Sequence, residues 1–261
     1  MITLYHYPSS PCAAKVRAVL VEKELDWNGQ IVNILEKENL DPSYLRLNPK
    51  GVVPTLVDAD RVITESTIIM EYLDTAYKPH SLKPDSAYAQ ATMRKWLKWV
   101  DEHLHANWAG LGWTILIRPT WLEKSSAEVS ALLTKLIDPA RRDRQERLLK
   151  LGYMAPEFKQ SLGLLEKTMA DMEVSLQQQS WLVGEKPSLA DIAVLPYIIS
   201  AEKFGIAEMM LTNRPRLSAW LNAWRTRPAY TATMPWHLDQ DLIAEVRSKS
   251  REPWLSIRTA A

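Results

Sequence analysis

The sequence predicts two unlike domains in series, an α/β unit over residues 1–80 and an all-α unit over residues 81–261. Three observations carry this. Strand-like alternation and helical spacing take turns through roughly the first 80 residues. A stretch with two prolines and no period, Lys78-Pro79-His80-Ser81-Leu82-Lys83-Pro84-Asp85, then reads as a linker. Beyond it, apolar residues recur only at helical spacing.

Taken in order, Met1 to Tyr7 alternates as a strand, and Ala13 to Glu24 carries Val16, Val19, Leu20 and Lys23 at helical spacing. Gln30 to Leu35 reads as a second strand, which makes a βαβ start. Asn48-Pro49-Lys50-Gly51 is a turn signal, Val52 to Val57 a strand, Asp58-Ala59-Asp60 a hairpin turn and Arg61 to Ile63 its partner. Thr64 is placed to cap a helix from Glu65 to about Tyr77. In the second unit, Met93, Trp96, Leu97, Val100, Leu104, Trp108 and Leu111 form one long stripe, and Phe158, Leu162, Leu165, Met169, Met172 and Leu176 form another. Ser188-Leu189-Ala190-Asp191 has capping-box spacing for a helix from Leu189 to Lys203, with Asp191 as a structural cap, and Leu217, Trp220, Leu221 and Trp224 line one more. Pro119 to Pro156 is weakly periodic and holds the run Arg141-Arg142-Asp143-Arg144-Gln145-Glu146-Arg147. That run reads as a solvated helix face with Arg142/Glu146 and Asp143/Arg147 pairs, or as a docking patch for an acidic ligand.

Composition narrows the function. Of 261 residues 46% are apolar and 24% charged, enough to bury a sizeable core. Thirty-two basic residues face thirty-one acidic ones, so no positive field draws in nucleic acid or an anionic membrane. The N-terminus lacks the pattern of a secretory signal and no apolar run is long enough to span a membrane, so a cytoplasmic location is expected. Cys12 is the single cysteine, and the five histidines lack ligand spacing, so neither a disulfide within the chain nor a metal site is expected.

Chemistry concentrates in three places. Ser9-Ser10-Pro11-Cys12 sits where the first strand gives way to the first helix, and unpaired N–H groups there favour an anion such as a thiolate. The same segment also reads as a serine cap with a small buried cysteine behind it. Val53-Pro54 breaks a strand, and a cis bond there would turn the Val53 backbone toward an extended peptide. Glu65-Ser66 opens a helix, where a carboxylate can meet the dipole's positive end.

Ser-Ser-Pro-Cys, then Asn48-Pro49-Lys50-Gly51-Val52-Val53-Pro54-Thr55-Leu56, then Thr64-Glu65-Ser66-Thr67, resembles in order the glutathione-binding domain of glutathione S-transferases. Trp181-Leu182-Val183-Gly184 through Asp191 resembles the start of the buried core helix of that family's second domain, and the likeness spans residues 2 to 230. The resemblance implies a thioredoxin-like N-terminal domain, an all-α C-terminal domain, glutathione as co-substrate, a hydrophobic electrophile as second substrate, and a homodimer with Trp99 and His103 partly at the contact. It implies that Val53 and Pro54 hold the cysteinyl backbone, Glu65 and Ser66 the γ-glutamyl end, and Asn39 the neighbourhood of the glycine carboxylate. Ser10 matches the catalytic serine of Zeta and Theta classes, and Cys12 the second-position cysteine of Zeta enzymes and the reactive cysteine of tetrachlorohydroquinone dehalogenases. Tyr7, with Tyr5, leaves a tyrosine-activated mechanism open. Tyr7, and Trp108 and Trp113 among eleven tryptophans, are candidates for the substrate pocket.

The insert with Ile137-Asp138-Pro139 and the arginine run, preceded by Trp99-Val100-Asp101-Glu102 and Gly112-Trp113, is similar to bacterial β-etherases, while the first loop is nearer Zeta and dehalogenase sequences. Three functions stay open: a transferase or aryl etherase of the detoxification type, a Cys12-dependent thiol-disulfide or reductive dehalogenation enzyme, and a non-catalytic binding protein on the same fold.

Overall fold

The computed structural model describes residues 1–258 apart from 79, 137, 234–237 and 239. Its N-terminal part is built on a four-stranded sheet in the order β2-β1-β3-β4. Strand β1 (Ile2–His6) pairs parallel with β2 (Trp27–Ile31) and antiparallel with β3 (Thr55–Asp58), which pairs in turn with β4 (Arg61–Thr64). Helix α1 (Pro11–Glu22) makes the crossover between β1 and β2. Helix α2 (Pro42–Leu45) is a single turn, and α3 (Ser66–Ala76) packs beside α1.

Element boundaries depart from the sequence expectations for local reasons. Helix α1 begins at Pro11 because Ser10 caps it and a proline in the first turn sacrifices only an N–H that has no helical partner. Strand β2 begins at Trp27, not Gln30, because its register is set by β1, from Ile2 opposite Trp27 to His6 opposite Ile31. Strand β3 begins at Thr55, after the cis Val53–Pro54 bond, since Pro54 has no N–H to give the ladder. Thr64 closes β4 and does not cap α3. Glu65 occupies that position instead with φ +67° and makes no side-chain cap bond.

The remainder is helical: α4 (Ala87–Trp99), α5 (Ala109–Gly112), α6 (Arg118–Leu122), α7 (Ser126–Thr134), α8 (Pro139–Leu151), α9 (Pro156–Ser175), α10 (Leu189–Lys203), α11 (Ala207–Leu211), α12 (Pro215–Arg225), α13 (Pro228–Thr233) and α14 (Gln240–Arg258). Two wide π-helical stretches, Val100–His105 and Trp113–Ile117, lie within the run from α4 to α6. Helix α10 is buried from Leu189 to Ala201 and forms the centre of this part. Its capping box closes both ways, and the buried Asp191 carboxylate also accepts from Leu182 N (2.8 Å) and Trp220 Nε1 (2.9 Å).

Helix α1 joins the two parts, packed against α3, α10 and α13 at once. That is why even Lys15 and Arg17 on it are buried. Lys15 Nζ meets Asp101 Oδ1 at 3.2 Å, and Thr67 donates to Asp101 Oδ2 at 2.6 Å, so one carboxylate ties α1 and α3 to the helical part. Most of the expected linker is held too: Leu82 is buried, its N–H donates to Asp74 at 2.7 Å and its carbonyl accepts from Leu189. Pro79 within that stretch lies outside the described residues.

Candidate functional site

A cavity of about 390 Å³ opens where the two parts meet. The end of β1 and the start of α1 supply Ser9, Ser10 and Pro11; the segment before β3 supplies Val52 and Val53; and the loop after β2 supplies Lys37 and Asn39. The helical part answers with His105, Trp108, Gly112, Trp113, Arg141, Arg144 and Gln145.

Ser10 has extended backbone angles, and its Oγ accepts from Ala13 N at 3.3 Å as the cap of α1. A hydroxyl has one proton and two lone pairs. The cap uses a lone pair, so the proton remains free to be donated into the cavity, at the positive end of a helix. Cys12, two residues on, is absent from the cavity wall and lies almost wholly buried behind it. Burial alone would raise its thiol pKa, but the charges of His105 and Lys15, with hydrogen bonds from His105 and Ser66, bring it down to about 6. Cys12 is thus an ionisable thiol without an open path to a ligand. Tyr197, fully buried beside it, has its phenol pushed up by that burial and by the nearby thiolate.

Val52 O is bonded twice, by Tyr44 OH at 2.7 Å and Asn48 Nδ2 at 2.8 Å. The N–H and C=O of Val53 form no hydrogen bond among the described residues, which leaves a free peptide edge on the cavity wall. Farther along, Glu65 at φ +67°, ψ 113° is a strained position for a side chain larger than glycine. Because no side chain caps α3 among the described residues, the N–H groups of its first turn, at the buried Ser66 and Thr67, are left without a partner for a carboxylate that reaches them. Lys50 Nζ holds the Glu65 carboxylate at 2.7 Å.

The remaining expected residues divide. Trp108 and Trp113 line the cavity; Gly112 lets the Trp108 ring lie close, since a Cβ there would stand 2.5 Å from Trp108 Nε1. Asn39 also lines it; its Nδ2 gives one of its two protons to Gly51 O at 2.7 Å, and its Oδ1 is buried without a partner. Tyr7 is not on the wall; it packs with Val32, Tyr44 and Val53, and burial followed by Glu36 and Glu38 raises its phenol pKa. Pro54, Glu65 and Ser66 lie outside the wall as well.

The arginine run does not make the expected i,i+4 pairs. Arg142 donates to Leu136 O at 2.7 Å, Arg147 pairs with Glu157 at 2.6 Å, and Arg141 and Arg144 turn to the cavity. Ile137 of the same insert lies outside the described residues. Sequence reasoning gave no role to Lys37 or to His105 at the site. Their signal was a basic or imidazole residue beside a turn or a change of helical pitch, which periodicity does not reveal.

A thioredoxin-like sheet, a cis-proline edge and an uncapped helix start, with a cavity facing a helical domain, define a class of enzyme that binds a thiol peptide. Residues 4–81 match the family model of the glutathione S-transferase N-terminal domain, and residues 125–228 that of the C-terminal domain. The chain belongs to the glutathione S-transferase family, whose co-substrate is glutathione. It is 30% identical to Glutathione S-transferase 3 of Zea mays, over 89% of this chain and 93% of that one. It is 27% identical to Protein LigF of a Sphingobium species, over 95% and 98%. The crystal structure of that protein, titled as the beta-etherase LigF, superposes with a TM-score of 0.79 over 90% of this chain and 98% of its own. An epsilon-class glutathione S-transferase from the housefly, Musca domestica, shares the fold at 23% identity and a TM-score of 0.67, over 95% and 98%.

Proposed function

We propose that this glutathione transferase binds its co-substrate with the cysteinyl backbone on the Val53–Pro54 edge and the γ-glutamyl carboxylate at the Glu65–Ser66 start of α3. Ser10 donates to the sulfur and holds it as thiolate. The thiolate attacks an electrophilic carbon of an apolar, aromatic molecule seated between Trp108 and Trp113. The carbon–sulfur bond forms as the leaving group departs with its electron pair; with a β-aryl ether that group is an aryloxide, which takes a proton from water. The likeness to LigF over nearly the whole chain supports the aryl ether as leaving-group class.

One observation carries the reading: Ser10 stands on the cavity wall at the start of α1 with an uncommitted hydroxyl proton, while Cys12 is buried and does not line the cavity. A cysteine-dependent exchange needs a thiol that can meet the mixed disulfide, and Ser10 needs no such movement. The same proposal places the glutathione domain at residues 1–80 and the substrate domain at residues 81–261, in a cytoplasmic homodimer. The exposed His103 ring, tilted by 58° against Trp99 with the ring centres 4.5 Å apart, belongs to the face that would meet the second subunit; light scattering that returns a monomer refutes the dimer.

The test is product analysis. Purified protein with glutathione and a β-aryl ether dimer should yield the glutathione thioether and a free phenol in equal amounts. Calorimetry that detects no glutathione binding would remove the mechanism, and turnover of hydroxyethyl disulfide alone would transfer it to Cys12.

A further inference from the structure

One wall of the cavity is cationic. Lys37, Arg141 and Arg144 line it together with Gln145. Lys37 sits in the left-handed conformation at φ +63°, its side chain buried; its Nζ donates to Gln145 Oε1 at 3.3 Å and lies 5.0 Å from the centre of the Trp121 ring. None of the three cations forms an ion pair among the described residues, and the Arg144 Nε is buried without a partner. Two of the acids near in sequence are engaged elsewhere, although the Asp138 charge still favours the Arg141 cation. Glu36 pairs with Lys124 at 3.1 Å, and Asp138 caps α8, accepting from Ala140 N at 3.0 Å.

Three like charges brought to one wall with no ion pair among the described residues are unfavourable until a ligand supplies one. The strain shows in their titration: burial first, then Arg141 and Lys135, hold Lys37 down at about 8, and burial followed by Arg144 lowers Arg141. Paired guanidinium groups match the planar, two-oxygen shape of a carboxylate. Glutathione, on the reading above, commits its γ-glutamyl carboxylate at α3 and has only the glycine carboxylate left, which neutralises one of the three charges. Two cations remain over, on the side of the cavity built by the helical domain.

We propose that the two cations left over on the helical side, Arg141 and Arg144, recognise a carboxylate carried by the second substrate, so that the preferred electrophile is an apolar, aromatic molecule bearing an acid group and not a neutral one. This rests on the glutathione reading of the same cavity. The arginine run is then the docking patch for an acidic ligand, turned inward. The acid anchors one end of the substrate on α8 while Ser10, on the opposite domain, presents the sulfur to the other.

The test uses a matched pair of electrophiles, 4-chloro-3-nitrobenzoate and its methyl ester, which differ in charge and share the leaving group. With wild-type enzyme, the ratio of kcat/KM for acid over ester should exceed the ratio of their uncatalysed rates with glutathione by about tenfold or more, and should fall with added salt. Arg141→Gln and Arg144→Gln should each lower that ratio on the order of 10- to 100-fold, through KM for the acid, and Arg141→Lys should retain part of it. An unchanged ratio in the variants overturns the proposal. So does a loss confined to glutathione affinity, measured by calorimetry, because the wall would then serve the glycine carboxylate alone. Binding of 4-chloro-3-nitrobenzoate without glutathione, followed by tryptophan fluorescence, separates the two readings. Wild-type binding that the arginine variants lose supports the acid site even where glutathione itself fails to bind, and equal binding by all three proteins refutes it.

Discussion

Replacing Ser10 by alanine removes two things at once, and they can be weighed separately. The first is a helix cap. Its bond to Ala13 N is long at 3.3 Å, so its loss should cost about 1 kcal/mol or less of stability, which lowers Tm by about 2–4 °C in a chain of this size. The second is the donor to sulfur. Loss of one positioned donor costs on the order of 10²-fold in rate, or about 2.7 kcal/mol. Since one pKa unit is about 1.4 kcal/mol, the bound thiol's pKa should rise by about 2 units. The assay is the ultraviolet absorbance of bound glutathione thiolate against pH, together with kcat/KM over the same range and a thermal melt. The expected variant melts slightly earlier, binds glutathione, and needs a markedly higher pH to form thiolate. A variant that melts earlier while keeping wild-type kcat/KM and pH profile would refute the assignment, for Ser10 would then be a cap and nothing more.

Ser66→Ala should weaken glutathione binding in calorimetry about tenfold, because the hydroxyl at the uncapped start of α3 is lost while its N–H groups remain. Asp191→Ala leaves Leu182 N, Ser188 N and Trp220 Nε1 buried without their acceptor, and denaturant unfolding should report a loss of at least about 3 kcal/mol. Cys12 is held near pH 6 in the fold against an ordinary 9.0, so its contribution is fully present above 9 and is lost as pH falls toward 6. The stability gap between wild type and Cys12→Ser should therefore widen from pH 6 to pH 9 in paired denaturant titrations, and a gap that narrows contradicts the thiolate. Iodoacetamide should react slowly with native Cys12 at neutral pH despite that ionisation, and fast once the chain is unfolded.

Local chemistry was legible in the sequence wherever a residue acts through its neighbours in the chain. The Ser188–Asp191 box, the strand break at Pro54 and the helix start behind Ser10 are all of that kind, and each stands within a residue or two of its expected place. Boundaries set by a partner were not legible: β2 takes its start from β1, which no pattern in Gln30 to Leu35 contains. The site was half readable for the same reason. Ser10, Val53, Trp108 and Trp113 converge on one cavity, yet whether Tyr7 or Cys12 joins them depends on which side of a buried helix or sheet they face. The arginine run was the least transparent. Its spacing permits i,i+4 pairs, and only the placement of α8 against the loop holding Lys37 turns Arg141 and Arg144 inward.

The two wide helical turns, Val100–His105 and Trp113–Ile117, have a consequence for how this pocket can change over time. In an α-helix each residue swings the chain about 100° around its axis. A wide turn holds a residue more than the regular spiral requires, and His105 and Trp113, which both face the cavity, sit within such turns. Deleting the extra residue from Val100–His105 would let that stretch close to the regular pitch while Trp108, Gly112 and Trp113 keep their facing, whereas a deletion from the regular helix beyond it would rotate everything that follows by about 100°. A point substitution alters one lining side chain, and a single-codon change of length in the regular helix would re-face the whole wall; at the two wide turns alone a residue can be lost without either result. Among proteins of this architecture, a gap at either turn is accordingly compatible with the same pocket, while a gap in the regular helix between them marks a different one.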